Sequence, residues 1–259
     1  MKFNHILLPV ILIACFGLLN CTNKQNNLKK FNTGKALIYS LDSLFINLSN
    51  VPTKAKGSSE AVVHINEEIR KTIESIDAPQ LLEELAVEFK SKKHDFTFIV
   101  SKDKKVGVFS WDTRMGSSEQ SIKNIALYKS GDRVLPTSLY GKPMVYDKVY
   151  QIEPVSGNTI YTFHGHSEAM GHPNFRLHAY TLKSGHLEET PVFPLNTTFI
   201  SSEKSFADSD IQSMDFEVSK NGSHILISKA LDSATVIKTL AFDGEKFASA
   251  EEKLEISYK

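Results

Sequence analysis

A chain of 259 residues, 41% hydrophobic and 23% charged, can bury a core in one domain, or in a large domain with a smaller appendage, which excludes a disordered chain. Its 30 basic and 30 acidic groups cancel, so no broad field draws in nucleic acid or an anionic membrane surface. Both cysteines, Cys15 and Cys21, stand at the extreme N-terminus, so the rest of the chain has no thiol for a disulfide, a thiolate nucleophile or a zinc site, and any chemistry rests on oxygen and imidazole groups.

Residues 1–20 carry Lys2 near the start and then an apolar stretch from Ile6 to Leu19, broken by Pro9 and Gly17. A helix that crosses a bilayer needs about 20 apolar residues, and this run is shorter, so the pattern predicts a cleaved export signal. Its end resembles lipoprotein signals twice, at Leu12-Ile13-Ala14-Cys15 and at Leu18-Leu19-Asn20-Cys21. Ala14 fits the small position better than Asn20, but cleavage before Cys15 would leave Phe16-Gly17-Leu18-Leu19 on the mature end. Cys21 is therefore the expected lipidation site, and it opens into a polar tether over 21–34. That resemblance implies several acyl chains, palmitate among them, and two or more chains convert marginal membrane binding into stable anchoring. Neither cysteine is followed by Asp, which is compatible with the outer membrane.

Over 35–92 the apolar period is helical. Leu37, Leu41, Leu44, Phe45 and Leu48 predict a helix over 35–49, which Pro52 and Gly57 end. A second helix has Ser58 or Ser59 as cap, Glu60 in its first turn, and a stripe of Val62, Ile65, Ile69, Ile73 and Ile76. A third begins at Asp77, which has capping-box spacing to Gln80, with Pro79 in the first turn and Leu81, Leu82, Leu85 and Phe89 following.

From residue 93 to 259 the period switches to two. Six hairpins are predicted, turning at Lys102-Asp103-Lys104, Ser130-Gly131, Ser156-Gly157, Ser184-Gly185, Asn221-Gly222 and Asp243-Gly244. The last two dipeptides suit type I′ turns. The predicted fold is thus mainly β with N-terminal helices, an α+β arrangement: an antiparallel meander of about twelve strands, folded as a sandwich, an open barrel or a propeller-like fragment. The helices pack on one edge or face, where they would also blunt an exposed edge strand. Twelve strands make three four-stranded blades, and a closed ring usually needs at least four.

The run Phe98-Ile99-Val100-Ser101-Lys102-Asp103, followed by Val106 to Gly116 with its Trp111-Asp112-Thr113, resembles uncharacterised envelope lipoproteins of Bacteroidota. Ala241-Phe242-Asp243-Gly244-Glu245-Lys246-Phe247 is similar to their closing hairpin, while Ser117-Ser118-Glu119 departs from their pattern after the glycine. The resemblance implies an envelope location and a β-rich fold, and it carries over no activity.

Two polar clusters stand out. Five of the nine histidines fall between His164 and His186. On a strand His164 and His166 share a face, and His172 folding back would complete three imidazoles for zinc, copper or nickel, with Glu168 as a further ligand or base. Gly165-His166-Ser167-Glu168-Ala169 also resembles the nucleophile elbow of α/β-hydrolases, but Gly171 and Pro173 interrupt the helix that motif requires, and the competing reading is a glycine-bracketed loop between two strands. The second cluster is Trp111, Asp112 and Arg114, able to grip a sugar or peptide, with Tyr128, Tyr140, Tyr146 and Tyr150 as added aromatic surface. Its competing reading is a core indole beside two charges that pair or cap a turn. Asp208-Ser209-Asp210 lacks the ligand run of a calcium loop and reads as solvated.

These features predict a lipid-anchored protein of the cell envelope that is a non-catalytic binding or structural module for a protein, peptide or glycan, without a cofactor or nucleic acid. The alternative is a hydrolase or metal-dependent enzyme centred on His164, His166, Ser167 and His172.

Overall fold

The computed structural model describes residues 30–52, 57–89, 94–115, 121–139, 141–155, 157–169, 172–202, 213–231 and 233–256. The signal segment with Cys15 and Cys21, Tyr140 and Asp208-Ser209-Asp210 lie outside them. No described helix is long and apolar enough to cross a membrane.

Among the described residues three helices come first: α1 (Gly34–Asn50), α2 (Ser58–Glu74) and α3 (Pro79–Phe89). Thr33 caps α1 by accepting from the Ala36 amide at 3.2 Å. Neither Ser58 nor Ser59 caps α2. Gly57, in the left-handed region at φ +82°, holds that position without a side-chain bond. The buried stripe of α2 contains Val62, Ile69 and Ile73 as predicted, together with two polar members, Asn66 and Thr72.

Thirteen strands follow in three antiparallel meanders. Sheet I is β1 (Thr97–Val100), β2 (Val106–Asp112), β3 (Ile122–Ser130) and β4 (Arg133–Ser138). Sheet II is β5 (Val145–Ile152), β6 (Ile160–Ala169), β7 (His172–Lys183) and β8 (His186–Glu189), and β9 (Phe199–Ser201) also pairs with β7. Sheet III is β10 (Ser213–Val218), β11 (His224–Ala230), β12 (Ala234–Phe242) and β13 (Phe247–Ile256). All six predicted hairpins are present, and β9 is the strand the alternation did not announce.

The type I′ geometry sits elsewhere than predicted. Ser184 and Gly185 both have positive φ, +51° and +79°, between the paired Lys183 and His186. At Asn221-Gly222 and Asp243-Gly244 only the glycine does. There the Asx side chain organises a longer loop: Asn221 Oδ1 accepts from the Ser223 amide, and Asp243 Oδ1 from the amides of Glu245 and Lys246.

The sheets stack in chain order and the stack stays open. Helices α1–α3 cover one face of sheet I, not its edge, around Leu41, Ile69, Leu82, Phe109, Trp111 and Leu127. The opposite face of sheet I, through Val106, Val108, Ala126 and Tyr128, meets Tyr146, Tyr161, Phe163 and Tyr180 of sheet II. The far side of sheet II, through Ile152, Ile160, Leu177 and Ala179, meets Phe216, Ile225, Leu240 and Phe247 of sheet III. Because both faces of sheet I are covered, its strand β2 reads as a near-continuous apolar run and is buried at every position but Asp112. Polar bonds fix how I meets II. Thr97 Oγ1 donates to the Tyr146 carbonyl at 3.0 Å, and the Tyr146 amide donates to Ser110 Oγ at 3.1 Å.

Candidate functional site

The end of β2 is built into the fold, and a groove lies against it. Trp111 is buried, and its indole Nε1 donates to Asn66 Oδ1 at 2.9 Å. Asn66 Nδ2 in turn donates to the carbonyls of Val62 and Thr113, each at 2.8 Å, so a polar side chain in the inner stripe of α2 ties that helix to the strand. Arg114 does not project toward a ligand. Its guanidinium donates to the carbonyls of Leu48 and Val51, the latter at 3.1 Å, and so closes the C-terminal end of α1. Asp112 Oδ1 accepts from the Arg114 amide at 2.9 Å and holds the turn in which Arg114 has φ +56°. Of the tyrosines expected beside this cluster, Tyr128 and Tyr146 are buried between sheets I and II, and Tyr150 packs between II and III.

Over the indole, Val63, Asn66, Glu67, Arg70, Thr113, Met115 and Lys123 line an open groove of about 310 Å³. It continues along α2 into a second depression of about 440 Å³ lined by Ser59, Glu60, Val63, His64 and Glu67. Val63 and Met115 are 56% and 54% exposed, large values for apolar side chains. Glu67 accepts from Arg70 at 2.6 and 2.8 Å, and that bond holds its carboxyl below the usual range.

The histidine segment is a hairpin rather than a loop. Strand β6 runs through it to Ala169, and β7 resumes at His172, paired with Ala169. A bulge between Tyr146 and Lys148 in β5 brings Asp147 between two imidazoles: Oδ1 lies 2.7 Å from His164 Nδ1, and Oδ2 lies 3.4 Å from His166 Nδ1. Burial alone would raise the Asp147 carboxyl, but the bond to His164 and the neighbouring His164, His166 and Lys148 outweigh it and hold the group low.

Two of the three imidazoles, His164 and His166, stand in one row of the ladder. His164 and His166 stand opposite Leu177 and Phe175, whereas position 172 stands opposite Ala169, in the alternate row of the ladder. The His172 side chain lies outside the described atoms, and among the described residues no group of three His, Cys, Asp or Glu is arranged to hold a metal ion. Ser167 is a ladder residue paired with Asn174, with no positive φ and no following helix. Adjacent strand residues face opposite ways, so His166 is turned away from it. The glycine of that motif serves packing: a Cβ at Gly165 would stand 3.0 Å from the Tyr146 ring and 3.1 Å from Met144.

On the face of sheet II toward sheet I, β7 carries Arg176, His178 and Tyr180 in one row, beside Tyr146, Glu189 and Phe199. His178 Nδ1 and Tyr180 Oη are 3.0 Å apart. Glu189 Oε2 lies 3.2 Å from His178 Nε2 but off the direction of a hydrogen bond, and it accepts from Thr198 Oγ1 at 2.8 Å. Burial lowers the His178 imidazole against the opposing pull of Glu189, and burial pushes the Tyr146 phenol up to about 12. Asn66, Asp147, Arg176 and Glu189 were not singled out by sequence.

Compared with models of protein families, with curated proteins and with solved structures, the chain has no match.

Proposed function

We propose that the chain is a lipid-anchored envelope protein, held through Cys21, whose β-rich body is a non-catalytic binding module for a protein or peptide. Outer-membrane placement and kinship with the Bacteroidota envelope lipoproteins belong to the same proposal. The observation that carries the binding role is the groove along α2, where exposed Val63 and Met115 lie over the Trp111 indole and Glu67, Arg70 and Lys123 form the rim. Exposed apolar side chains inside a charged rim are the anatomy of a contact surface.

Two experiments test it. Metabolic labelling with palmitate marks the wild-type chain, and Cys21→Ser abolishes the label; persistence of the label in that variant refutes the anchor assignment. A photo-crosslinker at position 63 in intact cells traps one discrete partner, and Glu at 115 suppresses the adduct without changing the melting temperature. An adduct pattern indifferent to the Met115→Glu change refutes the groove.

The second reading, an enzyme at the histidines, has one supporting feature: Asp147 orients His164 as a carboxylate orients a general base. In that reading His164→Ala and Asp147→Asn each abolish a hydrolytic activity without unfolding the protein, and full activity in either refutes the reading.

A further inference from the structure

Among the described residues the Arg176 guanidinium has no hydrogen-bonded partner, and Glu189 acts on it only through its field. Its residue surface is 8% exposed, and Nε is fully buried without a hydrogen-bond partner. Among the described residues the guanidinium donates no hydrogen bond and forms no ion pair. Its one marked contact is the Phe199 ring, whose centroid lies 4.6 Å from Cζ. A buried charge is retained at reasonable cost only when it is paired and its protons are satisfied, and a ring face supplies neither an acceptor nor a countercharge. Glu189, which would be the natural partner, is engaged by Thr198 and His178.

We propose that Arg176 anchors a binding site for an oxyanion, the carboxylate or phosphate group of a ligand. Three features favour this over an idle cation. The planar fork of a guanidinium matches two oxygens of a carboxylate or phosphate at once, and here its Cζ stands over the ring of Phe199, itself 42% exposed. Space is left beside the fork by Gly141, at φ +120°: a Cβ there would meet only Arg176 Nη1, at 3.7 Å, among the described residues beyond its chain neighbours. Two residues along the same ladder row, His178 Nε2 is a second buried nitrogen without a hydrogen bond, but Glu189 beside it repels an anion, so the ligand's charge sits at the Arg176 end. The site lies on sheet II, apart from the α2 groove, and does not depend on that groove being a contact surface.

The test uses the full chain in detergent, labelled with [15N]arginine. Only four arginines, Arg70, Arg114, Arg133 and Arg176, give Nε–Hε signals. The Arg176 signal is identified by its loss in Arg176→Lys, or by elimination with Arg70→Lys, Arg114→Lys and Arg133→Lys if that variant does not fold. Sodium phosphate and sodium acetate are titrated at constant ionic strength. The expected result is a saturable shift of the Arg176 signal alone, weakened in Phe199→Leu. A preference of about tenfold for acetate identifies a carboxylate ligand, and the reverse identifies a phosphate ester. Absence of a saturable shift overturns the proposal.

Discussion

The two ends of attention in this molecule, the close of β2 and the middle of β7, hold similar residues with opposite accounts. At β2 an indole, an aspartate and an arginine within four residues are each spoken for: Trp111 by Asn66, Arg114 by two carbonyls at the end of α1, Asp112 by the Arg114 amide. On β7 the arginine and the histidine of one row keep buried nitrogens with no hydrogen bond. Clustered charges in sequence therefore say little about which charge is available. What decides is whether the three-dimensional neighbours include an acceptor.

That contrast can be broken at several strengths. The largest effect is expected from Trp111→Ala, which removes a buried indole and unpairs Asn66; urea denaturation should register a loss of about 3–5 kcal/mol. Arg114→Met should cost about 1–2 kcal/mol, because two helix-end carbonyls lose their donor. A loss below the error of the measurement would show that water replaces the guanidinium freely.

A smaller effect is the pH response of His178. Its folded value lies below the ordinary 6.5, so on acidification the unfolded chain takes up the proton first. Stability should fall as pH drops through about 6.5 toward the folded value, and His178→Gln should flatten that window. Asp103 acts in a lower window. Burial opposes its ionisation, but Ser101, the Lys105 amide and Tyr161 prevail and depress it, so its contribution is present above the ordinary 3.8 and is lost as pH falls through its folded value. Tyr161→Phe should shrink the loss in that lower window and leave the His178 window unchanged.

The hairpins and helices were legible because turn residues and apolar periods are local signals. The helix boundaries at Gly34 and Asn50 lie within one residue of the predicted 35–49. The sheets' stacking was not legible, since alternation does not reveal which polar row will be covered. In Phe175-Arg176-Leu177-His178-Ala179-Tyr180 alternation sets the even positions in one row, and nothing in that period announces that Arg176 and His178 are buried. Polar composition likewise made 163–173 read as a loop, although cross-strand bonds carry β6 and β7 through it. Asp147 comes to His164 and His166 through a bulge in another strand, a shift of register that no spacing announces.

The contrast is tested most directly by urea denaturation of wild type and Arg176→Met, each with and without phosphate. If the guanidinium is an unpaired buried charge, Arg176→Met is within about 1 kcal/mol of wild type or more stable. The account also predicts that phosphate at about ten times its dissociation constant stabilises wild type by about 1.4 kcal/mol and leaves the variant unchanged. A loss in Arg176→Met as large as that in Arg114→Met, with no phosphate effect on wild type, would contradict it and place both arginines among the structural ties of the fold.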